Sequence, residues 1–528
     1  MGQGAQAEST GTWYASYNDS LRGALLGQTW TGLAVNAICL AVVLVSVQWA
    51  CEIIFTRLWR LPGPPIAGLT NWYRFYLVRT GDYQHHLKAL HDKHGPVVRL
   101  GPNVVDLDYP ELVKTMYGTD NKYLKTDFYH NNSTKIGWNI IPNMFSQTDP
   151  EAHARMRKPV AKHYSSSAVL TVEPLVDKVI DQLLEHLDER FVKTAKPCDL
   201  GEWIAFCTWD MVGAASFSED FGYMAQGKDH DGTISTADKA LDYFAAIGQM
   251  PFLDYLLDKN PIKRIGPPHL GNATRVAIEH IATRARGNDP NFDPKTPDYL
   301  QRFMEAKETH PDIVDDGMIM NYVFINLLAG SDTTALTIRA VMYYVLKNPD
   351  VYRKLKSDLG ELELGRIAQY SEAKALPYLD ACVREAIRVH PGVSMMLERY
   401  APAEGLTLPD GRYIPPFTKV GMNPFIINRN PRIWGDDPNT FRPERWLQQE
   451  DESSSAFAER IKLFNATDFS FGAGSRMCLG RHLALLQTYK IVAALVGRYD
   501  IRLTNPDRDW EVTCSWFPRQ KGLVCDLR

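Results

Sequence analysis

Phe471-Gly472-Ala473-Gly474-Ser475-Arg476-Met477-Cys478-Leu479-Gly480 is the stretch that decides how this chain is read. It is a loop of high backbone freedom that ends in a cysteine opening an apolar helical run, Cys478 to Tyr499. Two glycines ahead of the cysteine allow backbone to approach a flat ligand closely, and Gly480 removes bulk from the first turn. A thiol at a helix N-terminus beside an arginine, here Arg476, is expected to have a lowered pKa. A thiolate is what an electron-rich iron ligand must be. The other cysteines, Cys39, Cys51, Cys198, Cys207, Cys382, Cys514 and Cys525, are scattered and form no Cys-x-x-Cys pair. That distribution argues against a zinc site or a disulfide framework and leaves most of them as buried small hydrophobes.

Around this loop the chain reads as a large helical body. Its 528 residues exceed the usual size of a single core. Hydrophobic residues at 45% and charged residues at 23% are ordinary globular values without a disordered bias. A net charge of -4 gives no reason to expect nucleic acid as a partner. His94 to Pro102 reads as turn, strand and turn, and Leu406 to Pro415 as a hairpin around Asp410-Gly411. Asp149-Pro150-Glu151 is a helix start. Helical periodicity covers Val169 to Leu187, Trp203 to Phe217 and Ala237 to Leu257. The longest helix is expected from Val314 to Lys347, and another from Tyr378 to Val389 before Pro391. No βαβ alternation occurs, which speaks against a dinucleotide-binding fold.

The N-terminal region differs. No charge occurs from Gly23 to Cys51, and about 20 apolar residues suffice to cross a bilayer. Trp30 and Trp49 stand near the two ends of the run, as interfacial aromatics do. A cleaved signal peptide has a shorter apolar core nearer the start. Arg57 and Arg60 follow closely, which favours a cytoplasmic location for what comes next. The expected division is a short lumenal tail at 1–29, a transmembrane anchor at 30–55, a proline-rich linker at 56–66 and a catalytic domain at 67–528. Asn18 would then be a glycosylation candidate in the lumen.

Three further segments carry chemistry-bearing residues. Ala329-Gly330-Ser331-Asp332-Thr333-Thr334 puts an acid and hydroxyls inside an uncharged helix, which is costly unless they serve a purpose. Such hydroxyls can instead bond back to carbonyls and bend the helix. Glu385 and Arg388 lie three apart and share a helix face, a spacing that an ordinary solvated pair also has. His153 and Arg157 lie four apart on the helix after Asp149, where both could donate to a carboxylate; an ordinary basic face would look the same.

The complete pattern Phe-Gly-x-Gly-x-Arg-x-Cys-x-Gly resembles the haem-binding signature of the cytochrome P-450 superfamily at every diagnostic position. The resemblance implies a mainly α fold with a small β-rich lobe and haem b as cofactor. By it, Cys478 is the axial thiolate ligand of the iron, Arg476 pairs with a haem propionate, and Phe471 and Gly472 lie beside the cofactor. The Asp332 segment is similar to the family's distal oxygen-binding groove, with Gly330 opening the helix over the iron and Asp332 and Thr333 relaying protons. Glu385-Ala386-Ile387-Arg388 looks like the family's Glu-x-x-Arg helix. Its third partner matches Arg445 in Pro443-Glu444-Arg445-Trp446, which implies a structural charge network bracing the cysteine loop.

Where many relatives carry tryptophan, this chain has His153. By resemblance His153, Arg157 and Arg399 are further propionate contacts. The implied reaction inserts one oxygen atom from dioxygen into a small apolar organic substrate. Electrons come from NADPH through a separate cytochrome reductase at the endoplasmic reticulum membrane. The register is similar to fungal enzymes of secondary metabolism, pisatin demethylase among them. The expected substrate pocket comprises Ile325, Ala329, Val393, Met395, Met396, Trp516 and Phe517, with the loop from Tyr129 to Phe145. The alternatives are a haem-thiolate enzyme of oxidative coupling, dehydration or isomerisation, and a non-catalytic haem-binding protein.

Overall fold

A computed structural model describes residues 30–55, 58–267, 270–360 and 367–528. The expected lumenal tail, with Asn18, lies outside the described residues. The chain divides into two compact units, at 1–60 and 61–528.

In the first unit, helix α1 occupies Trp30–Phe55 and is followed by a short 3-10 turn at Leu58–Arg60. Among the described residues no helix is long and apolar enough to cross a membrane. Several side chains of α1 lie outside the described set, so the expected span at 30–55 stays an expectation here.

The second unit is mainly helical. The proline-rich segment at its start is held, not free: Arg99 N donates to the Pro62 carbonyl at 2.8 Å. A Cβ on Gly63 would run into the Arg99 backbone. Strands β1 (Val97–Gly101) and β2 (Val104–Leu107) form an antiparallel pair. Strand β3 (Arg399–Tyr400) pairs antiparallel with β4 (Lys419–Gly421), and β4 runs parallel to β2, which closes a four-stranded sheet. The expected hairpin appears as Leu406–Thr407 paired with Tyr413–Ile414. The stretch from Ala237 to Leu257, read as one helix, is two, Thr233–Ile247 and Phe252–Leu257. Pro251 stands at the break, because proline can begin a helix but cannot continue one.

Five helices position the site. They are α2 (Pro150–Arg157), α3 (Leu200–Phe217), α4 (Asp316–Lys347), α5 (Pro377–Val389) and α6 (Arg481–Arg498). Asp149 caps α2 by accepting from Ala152 N at 2.7 Å, which satisfies one of the helix's orphan donors. Helix α3 is buried on all sides, as a helix apolar all round must be, and it packs along α4. On α4 one face, Ile319, Val323, Leu327, Ser331, Ala335 and Ile338, is buried in the core. A second stripe, Ile325, Ala329, Asp332 and Thr333, faces a cavity. The helical period of 3.6 separates the two faces, so one uninterrupted helix serves both core and site.

Candidate active site

The cavity has a volume of about 1130 Å³, and Cys478 and the α4 stripe both line it. Cys478 lies three residues ahead of α6, so the cysteine precedes that helix instead of opening it. Its backbone N donates to the Phe471 carbonyl at 3.0 Å, and Gly472 N donates to the Phe469 carbonyl at 3.0 Å. These bonds fold the loop into a fixed turn under the thiol. The two glycines divide the work. Gly472 has φ +70° and open space on its Cβ side, whereas a Cβ on Gly474, at φ +62°, would collide with the Tyr117 carbonyl. Close approach at Gly474 is therefore to the chain's own backbone and not to a ligand.

Cys478 is accessible from the cavity, while Cys198, Cys207, Cys382, Cys514 and Cys525 are buried. Its pKa is raised, against the expectation of a lowered one. Burial is the largest cause, opposed by the Gly480 and Arg481 N–H groups and by the Arg157 and Arg481 charges. Arg476, expected beside the thiol, points elsewhere: it donates to the carbonyls of Gln147 at 2.6 Å and Thr148 at 3.3 Å. Burial favours the neutral thiol, so a metal ion would have to displace the proton.

Arg157 donates to the carbonyls of Ser475 at 3.3 Å and Met477 at 3.2 Å, which ties α2 to the cysteine loop. His153 and Arg157 line the cavity. The His153 pKa is lowered to about 3 by burial and then by Arg476, Lys125 and Arg157, so the ring is neutral at physiological pH. Arg399 donates to the Glu398 carbonyl at 2.8 Å and the Tyr129 hydroxyl at 3.4 Å. Arg476 is lowered to about 10 by burial and by Arg399. Among the described residues no ion pair links Arg157, Arg399 or Arg476 to a carboxylate; their donors go to carbonyls and a phenol. A buried basic cluster of this kind is complementary to an anion.

On α4, Asp332 Oδ1 accepts from Trp209 Nε1 at 2.9 Å, and Oδ2 is buried without a partner. Burial, and then Asp238, raises the Asp332 pKa to about 7. Trp209 sits on α3, and no sequence signal marked it: a tryptophan in an apolar helix reads as core. Thr333 Oγ1 donates to the Ala329 carbonyl at 2.6 Å, and Ser331 and Thr334 bond back in the same way. A Cβ on Gly330 would meet Val212 of α3 at 3.2 Å, so this glycine also admits a neighbouring helix.

Behind the loop, Glu385, Arg388 and Arg445 meet at 0%, 1% and 3% exposure. Arg388 clamps Glu385 with bonds of 2.7 and 2.8 Å, and Arg445 Nε reaches it at 3.2 Å. Trp446 Nε1 and Arg442 N complete the carboxylate's partners at 2.9 and 3.1 Å. Burial acts to raise the Glu385 pKa, but Arg388 and Arg445 outweigh it and hold the group below its usual value. Arg388 Nη1 also donates to the Asn428 carbonyl at 2.7 Å, and Asn428 Nδ2 donates to Ser470 Oγ at 2.8 Å. That relay joins the network to the residue before Phe471.

Of the expected pocket residues, Ile325, Ala329, Val393, Trp516 and Phe517 line the cavity, as do Asn143, Met144 and Phe145 of the loop. Met395 and Met396 do not: they pack in a core cluster with Leu77, Val98 and Phe425. They are separated from Val393 by the fully buried Ser394.

A tetrapyrrole fits these residues. The open Cβ side of Gly472, the apolar walls, the cations Arg157 and Arg476 and the accessible thiol all meet in one space, and Arg399 borders a small pocket that Arg476 also lines. Among the described residues no group of three or more His, Cys, Asp or Glu could hold a metal. A single thiolate would suit an iron whose remaining ligands are supplied largely by a macrocycle.

The family model for cytochrome P450 matches residues 62–524. This chain belongs to the cytochrome P450 family. It is 42% identical over 470 residues to the cytochrome P450 monooxygenase cfoH of Aspergillus candidus, covering 88% of this chain and 87% of that protein. It is 35% identical over 466 residues to the cytochrome P450 monooxygenase cicH of Emericella nidulans, covering 87% and 92%. A third relative, the cytochrome P450 monooxygenase mpaDE of Penicillium brevicompactum, is 34% identical over 498 residues. There the match takes 92% of this chain and only 57% of the relative. The protein is thus an oxidoreductase of the monooxygenase type, and the family implies a haem with a cysteine thiolate ligand. The likeness to pisatin demethylase remains a resemblance.

Proposed function

We propose that this P450 inserts one oxygen atom from dioxygen into an apolar small molecule of fungal secondary metabolism. Electrons come from NADPH through a separate membrane-bound reductase. The observation that carries the reading is a single cavity faced by Cys478, by the Asp332–Thr333 pair and by apolar side chains including Ile325, Ala329, Val393 and Trp516. Haem held by Cys478 would supply oxygen activation, which the thiolate would favour by donating electron density. The chain's own residues do the rest. Asp332, at about 7, can take up and release a proton near neutral pH. Trp209 holds its Oδ1, leaving Oδ2 for the proton. Thr333 presents its hydroxyl on the same stripe, one position on.

An endoplasmic-reticulum location with a cytoplasmic catalytic unit belongs to the same proposal. Its support is the uncharged part of α1, residues 30–51, which would extend about 33 Å at about 1.5 Å each. Arg57 and Arg60 follow it. On the catalytic unit Trp138, Phe252, Leu256, Ile262 and Ile265 are exposed, a concentration of apolar side chains that suits a lipid surface.

The test is reconstitution with a fungal cytochrome reductase, NADPH and isotopically labelled dioxygen, against extracts of a deletion strain. One labelled oxygen per product molecule is the expected result. Substrate turnover without label would replace the proposal with coupling, dehydration or isomerisation, and no turnover with any extract would favour a non-catalytic haem protein.

A further inference from the structure

Lys125 is a cation for which the sequence offers no motif. Its side chain is 8% exposed and lines the cavity. Its Nζ donates to the Phe145 carbonyl at 2.5 Å and lies 3.9 Å from the centroid of Tyr129 and 4.4 Å from that of Phe145. No carboxylate forms an ion pair with it among the described residues. Backbone geometry makes the situation sharper. Lys125 and Arg399 are directly opposed in an isolated antiparallel bridge, and Tyr400 N donates to the Leu124 carbonyl at 2.8 Å. Residues opposed in such a bridge project to the same face, about 4.5–5.5 Å apart at Cβ, and like charges there are destabilising. Burial, and then Arg399 and Arg476, push the Lys125 pKa far down. The fold therefore places two buried cations side by side on a small pocket that both line, with ring faces, carbonyls and the Tyr129 hydroxyl as company.

We propose that Lys125 and Arg399 together grip one carboxylate of the bound haem, with Lys125 as the cation that the aromatic pair Tyr129 and Phe145 holds in place. The proposal rests on the haem reading above. A carboxylate between the two side chains would turn their repulsion into two charge-assisted hydrogen bonds. It would also place a positive charge at the edge of the macrocycle, where it favours the more electron-rich ferrous state.

The test uses full-length holoenzyme and two variants. Lys125→Met keeps the stem between the rings and removes the charge, whereas Lys125→Arg keeps the charge. The readouts are the rate of haem transfer to apomyoglobin and the ferric/ferrous midpoint potential without substrate. Lys125→Met is expected to lose haem about tenfold faster, the size of one charge-assisted bond. Its potential should fall by up to about 59 mV, the one-electron equivalent of tenfold. Lys125→Arg should match the wild type in both. If Lys125→Met accumulates only without haem while Lys125→Arg is normal, the charge role stands. Unchanged haem loss and potential in Lys125→Met overturn the proposal, even if substrate affinity drops, because the anion would then be substrate. A Lys125→Arg variant shifted as far as Lys125→Met overturns it too. Absence of haem from the wild-type protein would instead defeat the underlying reading.

Discussion

Replacing Arg388 with alanine should yield protein that does not retain haem, and the structure supplies the size of the effect. Arg388 is 1% exposed and donates to Glu385 twice and to the carbonyls of Asn428, Pro438 and Thr440. Breaking a buried ion pair by removing one partner costs about 3–5 kcal/mol. Glu385 would keep Arg445, Arg442 N and Trp446, which places the ion-pair part near the lower end. The three carbonyls add to it, at about 1–3 kcal/mol for each that water cannot reach. The sum approaches the whole stability of a typical domain, about 5–15 kcal/mol.

The loss falls where it matters, because Asn428 is the relay to Ser470 and hence to the cysteine loop. The assay is haem per polypeptide by pyridine haemochrome, with the carbon monoxide complex of the reduced protein as the sign of thiolate ligation. The double variant Glu385→Gln with Arg388→Ala should be less damaged than the sum of its parts, since no carboxylate is left without its clamp and Arg445 keeps Asp437 at 2.9 Å. Arg388→Ala protein with full haem content and an unshifted thermal midpoint would refute the reasoning. The pH dependence follows from Glu385. Its folded pKa lies below the unfolded value, so its contribution is present above the ordinary carboxylate range and disappears as pH falls through the lowered folded value.

Gly474→Ala should destabilise the loop, because the added methyl meets the Tyr117 carbonyl at a positive φ; Gly472→Ala has the same φ strain of about 1 kcal/mol without the collision. Lower haem retention in Gly474→Ala than in Gly472→Ala is the expected order, read by the same haemochrome assay. Trp209→Phe removes the donor that lowers the Asp332 pKa, so that pKa should rise further above about 7. The upper limb of the pH profile for product formed per NADPH should move to higher pH, and an unmoved profile would remove Trp209 from proton handling. Asp332→Asn should abolish that limb and divert reducing equivalents to hydrogen peroxide, measured against product.

The cysteine loop, the paired Glu385 and Arg388 and the Asp332–Thr333 step were legible in the sequence because each is a local pattern. A loop, a helical spacing of three and an acid inside an apolar helix are all visible within a few residues. So was most of the secondary structure, since the 3.6-residue period of α4 and the Asp149 cap are properties of contiguous chain. What only the tertiary structure decided depends on residues far apart. Trp209 meets Asp332 across 123 positions, and Lys125 meets Arg399 across a backbone bridge.

Packing also settled what local pattern left ambiguous. Met395 and Met396 pack into the core while Val393 stays at the cavity. Gly474 answers to Tyr117 and not to a ligand. The direction of the Cys478 pKa reversed for the same reason. A motif displays the charges and dipoles next to a thiol, whereas desolvation, here the largest cause, is a property of everything folded around it.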